Sequence, residues 1–218
     1  MMSEAGDKPV AVIGAGGHGR VVLHALCSAG RHVIHLTDLE PQRFPEGIDG
    51  VPVCSDDELL RKFQPDEIEL ALGVGSVGPI AEDHIRRKIV DRMQSSGYEF
   101  PVFVHQAAWV AESVTLQQGV QIHAGAIVQP GSNIGAFGII NTGATIDHDC
   151  SLAEFVHVAP GAVLSGDVTI GEGTHVGAGA TVIQGIHIGT ESLIAAGAVV
   201  VRNVEDHCRV IGVPARRC

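Results

Sequence analysis

Aromatic residues, long apolar stretches and basic side chains are all scarce in this sequence. Phenylalanine, tryptophan and tyrosine make up 4% of the 218 residues. The longest run of apolar residues and glycine, 193–201, is far shorter than the roughly 18 residues that a membrane-spanning helix needs. The formal net charge is −11, whereas nucleic-acid binding depends on basic groups that displace phosphate counterions. We therefore expect neither a membrane span nor a nucleic-acid partner.

Cysteine and histidine spacing gives no sign of a disulfide framework or a metal site. The five cysteines are scattered and include no CxxC pair, so reduced thiols are expected. No two of the 12 histidines are five positions apart. The sequence therefore lacks the H-x4-H pair that binds zinc in some repeat proteins, and no metal site is expected. The first residues, MMSEAGDKPV, are acidic where a secretory leader would be basic, so we expect a cytoplasmic protein.

Residues 1–103 are predicted to form an α/β domain with a mainly parallel sheet, a Rossmann-like half. The order is a strand in PVAVIG, a helix over 17–29, a strand in HVIHLTD, a strand at 51–54, a helix capped by Ser55, a strand in EIELALGVG and a helix over 80–97. Strand–helix–strand order favours parallel pairing. In the first helix, Val21, Val22, Ala25 and Leu26 are predicted to form the apolar face.

Residues 104–218 show a different period, six. Val, Ile or Leu occupies every sixth position from Val104 to Val200, 17 times in succession, so that 17 hexads extend to Glu205 without an insertion. The fifth residue of each hexad is usually small or β-branched. An unbroken short period in an aromatic-poor sequence indicates a β-solenoid. With three hexads per triangular coil, residues 18 apart lie above one another at about the 4.8 Å strand spacing.

The hexads Ile170-Gly-Glu-Gly-Thr-His and Val176-Gly-Ala-Gly-Ala-Thr resemble those of the left-handed β-helix hexapeptide acyltransferases. The segments GAGGHGRVV, LGVGS, INTGATIDHDC, HVAPGAVLSGDV and IGVPAR, together with Asp38, resemble the nucleotide-sugar N-acetyltransferases, including perosamine and bacillosamine N-acetyltransferases, and the related sialic acid O-acetyltransferases. The resemblance implies an α/β domain followed by a left-handed parallel β-helix. It also implies acetylation of a 4-amino-4,6-dideoxysugar in bacterial glycan synthesis, such as that of O-antigen lipopolysaccharide, by a homotrimer with acetyl-CoA bound between neighbours.

The segment DHD supplies the candidate general base. His148 occupies the outward third position of its hexad, and Gly166 lies one coil above it. Acyl transfer to an amine needs a base and a donor for the oxyanion, which assigns these roles to His148 and the Gly166 N–H. Asp149 is expected to hold the imidazole and favour its protonated form. Asp147 is interpreted as a solvated neighbour and Cys150 as core packing.

A track of small residues is a candidate groove for the pantetheine arm of acetyl-CoA, although small residues also suit tight turns. The candidate acetyl-CoA contacts are Asn141, Gly166, Gly177, Ala178, Ala196, Gly197, Pro214 and Arg216, and the resemblance adds His157. His175 is interpreted as packing at a corner. The basic chain end is either a site for the CoA 3′-phosphate or a solubilising terminus.

Gly14-x-Gly16-x-x-Gly19 matches the dinucleotide fingerprint, with Asp38 22 residues after Gly16. About 100 residues are too few for the full dinucleotide fold, but a glycine turn before a helix favours a diphosphate ligand. The resemblance implies a nucleotide-sugar here, contacted by Gly16, Gly17, His18, Asp38, Gly73, Val74 and Gly75. Within the family, His followed by Asp favours GDP-perosamine over UDP- or dTDP-linked sugars.

Two alternatives remain at this stage. One is a sialic acid O-acetyltransferase, which shares the architecture but not the acceptor. The other is a non-catalytic protein that binds a sugar nucleotide or NAD and carries a structural solenoid.

Overall fold

A computed structural model describes residues 8–75 and 84–218, which fall into two compact units. The described part of the first unit comprises residues 8–75 and 88–101. The described part of the second comprises residues 84–87 and 102–218. The beginning of the helix expected over 80–97 and Ser76 of the LGVGS segment lie outside the described residues.

The first unit is built on a parallel sheet in the order β3-β2-β1-β4. Its strands are β1 (Val10–Ile13), β2 (Val33–Thr37), β3 (Val53–Cys54) and β4 (Glu69–Leu72). Its helices are α1 (Gly17–Ser28) and α2 (Asp56–Lys62), with a 3-10 turn at Pro41–Arg43, and α3 (His84–Ser95) spans the division between the units. Val10, Ala11 and Val12 are fully buried, as continuous apolar strands of covered parallel sheets are.

The two helix predictions that the structure tests in detail differ in outcome. Ser55 caps α2 as expected, since its Oγ accepts a hydrogen bond from the Glu58 N–H at 3.2 Å. In α1 the predicted apolar face was wrong at one of its four residues, because Val21 is 41% exposed and Leu23 is buried instead. Leu23 follows Gly19 by four positions and precedes Leu26 by three, which is the spacing of a single helix face.

The second unit is a triangular solenoid with one parallel sheet on each of three faces. The first face contains β5 (Phe103–Val104), β8 (Gln121–Ile122), β11 (Ile139–Ile140), β14 (His157–Val158), β17 (His175–Val176), β20 (Leu193–Ile194), β22 (Arg209–Ile211) and the antiparallel β23 (Arg216–Arg217). The second contains β6 (Trp109–Val110), β9 (Ile127–Val128), β12 (Thr145–Ile146), β15 (Val163–Leu164), β18 (Thr181–Val182) and β21 (Val199–Val200). The third contains β7 (Thr115–Leu116), β10 (Asn133–Ile134), β13 (Ser151–Leu152), β16 (Thr169–Ile170) and β19 (His187–Ile188).

The hexad arithmetic predicts this register. Successive strands of a face pair residues 18 apart, as in Thr145 with Val163. The first and fifth hexad positions fill the core, for example Ile146 and Cys150, which are at most 1% exposed. Small and β-branched side chains suffice there because the three sheets leave little space between them.

The last coil departs from the prediction of 17 equal hexads. Val204 bridges to Ile188 and Arg209 pairs with Leu193, so the spacing falls from 18 residues to 16. The final hexad is therefore two residues short. Val204 is buried, but it continues the column of first positions rather than that of fifth positions.

From Gly119 to Gly197 the fourth position of each hexad has a left-handed backbone. Glycine occupies it in many hexads, for example Gly131 (φ 78°) and Gly185 (φ 69°). Asp149 and Asp167 adopt the same conformation, with φ 59° and 58°. Aspartate is among the few residues other than glycine that tolerate this region.

Candidate active site

The predicted site residues form two separate groups, one within each unit. In the first unit, glycines allow close packing at the carboxyl end of the sheet. Gly14 has φ 107°, and a Cβ on Gly19 would overlap the Gly14 carbonyl oxygen. A Cβ on Gly73 would lie 2.5 Å from the same oxygen. Gly14 and Gly19 thus have structural roles, as expected for a fingerprint turn. Gly73, predicted from the resemblance as a nucleotide-sugar contact, also packs against this turn.

Gly16 and Gly17 differ from those three glycines because, among the described residues other than their chain neighbours and the backbone of α1, no atom lies within 4 Å of a Cβ built on either. Gly16 precedes the first residue of α1, where no side chain caps the helix. His18 packs against Gly75, since a Cβ on Gly75 would lie 3.3 Å from His18 Cγ. This helix N-terminus combines exposed glycine backbone with the positive end of the helix dipole, a suitable environment for an anionic group.

Asp38 belongs to the same edge of the sheet. It directly follows β2, and the preceding Thr37 accepts a hydrogen bond from the Gly14 N–H at 3.2 Å. One oxygen of the Asp38 carboxylate accepts from the Glu40 N–H at 2.9 Å. The structure therefore brings Asp38 to the glycine turn, as the fingerprint spacing predicts, and Gly73, Val74 and Gly75 follow the neighbouring strand β4.

In the second unit, His148, Asp149 and Gly166 form a compact group at the corner between the second and third faces. His148 Nδ1 lies 2.8 Å from Asp149 Oδ2, and a Cβ on Gly166 would lie 2.5 Å from His148 Nε2. With Nδ1–H donating to the carboxylate, Nε2 is the nitrogen that accepts a proton. The His148 side chain is 60% exposed, so an external substrate reaches it.

The surroundings of His148 favour its protonated form. The hydrogen bond that His148 donates to the Asp149 carboxylate raises the pKa of His148 above its usual value, and the negative charges of Asp147, Asp149 and Asp167 add to this effect. Such an exposed pair contributes little to stability. Its consequence is a more basic imidazole, which suits a general base.

Gly166 is buried against the His148 ring, and its backbone N–H lies in this group. Among residues 8–75 and 84–218 no acceptor for it is found, because the third position of the hexad lies outside the ladder of backbone hydrogen bonds. It therefore has the chemistry of an oxyanion donor beside the imidazole.

Of two neighbours of His148, Cys150 is buried as predicted, whereas Asp147 is less solvated than predicted. Cys150 is 1% exposed and burial raises the pKa of its thiol, as expected for a core residue rather than a nucleophile. Asp147, interpreted from the sequence as a solvated neighbour, is half-buried, and its Oδ1 accepts from the His148 N–H at 2.8 Å. It thus fixes the backbone of the base.

The small-residue track lies elsewhere, at the corner between the first and second faces. Ala178 and Ala196 are exposed there, and the Ala178 carbonyl accepts from the Gly197 N–H at 2.9 Å. A Cβ on Gly177 would lie 2.6 Å from the Ala196 nitrogen, so this glycine is required by packing. Within one chain the second face separates these residues from His148.

Two buried polar residues accompany the track. Asn141 Nδ2 lies 3.1 Å from His157 Nε2, and both residues are buried. The rings of His157 and His175 meet edge to face with centroids 4.8 Å apart, consistent with the packing role expected for His175. At the chain end Pro214 and Arg216 are exposed, and Arg216 lines a pocket together with Arg202 and Arg217.

Two features of this unit were missed from the sequence. Asp167, 18 residues after Asp149, adds negative charge beside His148; its only sequence signal is an aspartate where the hexad turn usually has glycine. Arg86 is 1% exposed and donates to the carbonyls of Phe137 and Phe155. Nothing in the repeat pattern indicates that an arginine outside the hexads covers these two corner residues.

Comparison with known proteins identifies the family. A model of the PglD N-terminal domain matches residues 9–93, and one of the hexapeptide repeat of succinyl-transferase matches residues 167–202. The acetyltransferase domain of PglB from Neisseria gonorrhoeae, solved with acetyl coenzyme A, is 36% identical with a TM-score of 0.88, covering 98% of this chain and 100% of that one. PerB from Caulobacter crescentus, solved with CoA and GDP-perosamine, is 35% identical with a TM-score of 0.84, covering 96% and 97%. The chain belongs to the hexapeptide-repeat acetyltransferases.

Membership of the hexapeptide-repeat acetyltransferases confirms both the family that the motifs indicate, the nucleotide-sugar N-acetyltransferases, and the fold class, an α/β domain followed by a left-handed parallel β-helix. It also confirms that the protein is an acyltransferase enzyme. WeeI from Acinetobacter baumannii, 22% identical with a TM-score of 0.84 over 97% of this chain and 100% of that one, shares the fold. No curated protein sequence matches this one.

The described residues contain neither a membrane-spanning helix nor a candidate metal-binding group. No helix within 8–75 or 84–218 has the length and apolar character that crossing a membrane requires. In the same ranges no group of three or more His, Cys, Asp or Glu side chains is arranged to hold a metal ion.

Proposed function

We propose that the protein transfers the acetyl group of acetyl-CoA to the 4-amino group of a nucleotide-linked 4-amino-4,6-dideoxysugar, with GDP-perosamine as the favoured substrate. The group of His148, Asp149 and Gly166 is the observation that carries this proposal. The structure of the PglB domain in complex with acetyl coenzyme A and that of PerB in complex with CoA and GDP-perosamine support the choice of both substrates. The proposal includes a cytoplasmic location, which rests on the sequence alone.

The geometry supports direct transfer without an acyl-enzyme. The sugar amine attacks the thioester carbonyl carbon while His148 Nε2 takes a proton from the attacking nitrogen. The Gly166 N–H stabilises the oxyanion of the tetrahedral intermediate. The intermediate collapses by breaking the C–S bond, and the proton from the imidazolium goes to the departing CoA sulfur, leaving an amide and free CoA.

We assign the acceptor to the first unit and the acetyl donor to the second. We assign the diphosphate and sugar to Gly16, Gly17 and His18 at the start of α1, where the helix dipole favours negative charge. Asp38 is assigned to the nucleoside and Gly73, Val74 and Gly75 to the adjoining surface. Acetyl-CoA is assigned to the track of small residues, with Asn141, His157, Pro214 and Arg216 as further contacts.

We further propose a homotrimer in which the site is completed by a neighbouring chain. On the second face Trp109, Ile127 and Val163 are exposed apolar side chains of one mainly apolar column, in which Thr145 lies between Ile127 and Val163, and Trp109 is 51% exposed. His148 lies at one edge of this face and the small-residue track at the other. Packing of a second copy on this face buries the apolar column. It also explains why His148 and the small-residue track lie on opposite edges of the face within one chain. Light scattering is expected to give about three times 22.7 kDa, and a monomer at assay concentration contradicts this.

The decisive test compares the unaltered protein with the His148→Asn variant. Turnover is followed by release of the CoA thiol, with GDP-, UDP- and dTDP-linked 4-amino sugars and sialic acid as acceptors. Loss of a general base lowers turnover by roughly 10²- to 10⁴-fold, while affinity for both substrates is expected to remain. Near-normal turnover of the variant contradicts the role of His148. Turnover of sialic acid instead of the amino sugars contradicts the proposed acceptor.

A further inference from the structure

The carboxylate of Asp149 lies against the backbone of the coil below, at Gly131. The two residues are 18 positions apart and occupy the same place in successive coils. A Cβ built on Gly131 would overlap Asp149 Oδ1 and lie 3.4 Å from Asp149 Cγ. Asp149 Oδ2 is at the same time the atom that lies 2.8 Å from His148 Nδ1. The space beside Gly131 is therefore occupied by the carboxylate that contacts the imidazole.

We propose that Gly131 is a positioning residue, whose missing side chain lets the Asp149 carboxylate turn toward His148. It acts through Asp149 and touches neither substrate nor the reacting atoms. The inference rests on the proposed function only in so far as His148 is the base. Its structural part, that Gly131 controls the Asp149–His148 hydrogen bond, stands separately.

The overlap with a side chain at 131 is relieved most easily by the carboxylate. Oδ1 is the end of a flexible, exposed side chain, whereas the coil backbone is fixed by hydrogen bonds, including Asp149 N–H to the Pro130 carbonyl at 3.0 Å. Cγ, at 3.4 Å, is at an ordinary contact distance, so rotation about χ2 relieves the overlap, and it turns both carboxylate oxygens together. Such a change withdraws Oδ2 from His148 Nδ1.

Displacement of the carboxylate has a defined electrostatic consequence. Three acidic groups act on His148, namely Asp147, Asp149 and Asp167, and the Asp149 hydrogen bond has the largest effect on its pKa. With that bond lost, Asp147 and Asp167 still favour the protonated imidazole, but less strongly. The His148 pKa therefore falls, and the imidazole becomes a weaker base.

Gly185 provides a matched control. Gly131 has φ 78°, so any substitution there also strains the backbone. Gly185 lies in the same column three coils above Gly131 and has φ 69°, and apart from its chain neighbours no atom of the part of the chain that the structure describes lies within 4 Å of a Cβ built on it. Alanine at either position meets similar backbone strain, but only alanine at 131 meets the Asp149 carboxylate.

The experiment compares Gly131→Ala, Gly185→Ala and Asp149→Asn in the full chain. NMR titration of the His148 ring, assigned by its absence in His148→Asn, reports its pKa without substrate, and thiol release reports kcat and KM. We expect the His148 pKa to fall in Gly131→Ala and in Asp149→Asn, with little change in Gly185→Ala. We expect kcat of Gly131→Ala to fall, by less than the roughly 10²- to 10⁴-fold that loss of the base itself costs, and the acidic limb of its pH–rate profile to move to lower pH, with KM retained.

Adding Gly131→Ala to Asp149→Asn is expected to lower the His148 pKa no further, because both changes remove the same hydrogen bond. If Gly131→Ala does not fold, Gly131→Asn and Gly185→Asn replace the pair, since asparagine tolerates a left-handed backbone. An unchanged His148 pKa in a folded Gly131 variant overturns the inference. Normal turnover of His148→Asn overturns the proposed function instead, and the pKa comparison still decides the role of Gly131.

Discussion

Gly166→Ala separates the contribution of a glycine to the site from its contribution to the fold. The added Cβ would lie 2.5 Å from His148 Nε2 and 2.6 Å from Cε1. Ordinary contacts between such atoms are about 3.5 Å, so the imidazole has to move by about 1 Å. Misplacement of a reacting group by that distance costs roughly 10²-fold in rate. We therefore expect turnover of Gly166→Ala to fall by about two orders of magnitude.

The stability of Gly166→Ala is expected to change little. Its backbone is not left-handed, and the atoms that must move belong to an exposed side chain, so the free energy of unfolding should change by less than about 1 kcal/mol. Gly135→Ala is the converse case, because its Cβ would lie 2.6 Å from the backbone carbonyl carbon of Ala153 and 2.8 Å from the Glu154 nitrogen. Overpacking of this kind costs about 1–3 kcal/mol.

Thermal unfolding and thiol release measured on both variants test this contrast. A loss of 1 kcal/mol lowers Tm by about 2–4 °C in a chain of this size, so Gly135→Ala should melt visibly lower yet keep its turnover while folded. Gly166→Ala should show the reverse. Near-normal turnover of Gly166→Ala refutes the reasoning, since the base would then tolerate displacement or not be His148.

Three further predictions use the same assays. Asp149→Asn should move the acidic limb of the pH–rate profile to lower pH, because neutralising the hydrogen-bonded carboxylate lowers the raised pKa of His148; an unmoved limb speaks against the pair. Asp38→Ala should weaken binding of the nucleotide-sugar in calorimetry and spare acetyl-CoA, and equal loss of both affinities contradicts the division between the units. Exhaustive chelation should leave turnover unchanged, whereas loss that zinc restores would indicate a metal site.

The repeat made the solenoid predictable to the level of single residues. A side chain at the first or fifth hexad position has only the interior to occupy, so the core and the 18-residue register follow from the period. The short last coil does not follow, because Val204 satisfies an inward position in either register. Its assignment depends on the strand that pairs with it, Ile188, and the hexad pattern carries no information about that choice.

The candidate site was predictable where it depends on the coil and not where it depends on side-chain torsions. The 18-residue spacing placed Gly166 over His148, and the structure has that contact. The same spacing relates Gly131 to Asp149, but a glycine at the fourth position already has a sufficient explanation in the left-handed turn. Only the direction of the Asp149 carboxylate shows that Gly131 has a second role.

The arrangement of the predicted residues around the solenoid argues for a shared site. A triangular coil places hexads on three faces in strict rotation, so residues at successive corners of one chain stay separated by a full face. His148 and the track at Ala178 and Ala196 lie on either side of the second face, and no change of side-chain torsion brings them together. If both act in one reaction, the track must come from a neighbouring copy. A mixture of inactive His148→Asn chains with chains altered only at Ala178 should therefore recover activity, and failure to recover it would confine the site to one chain.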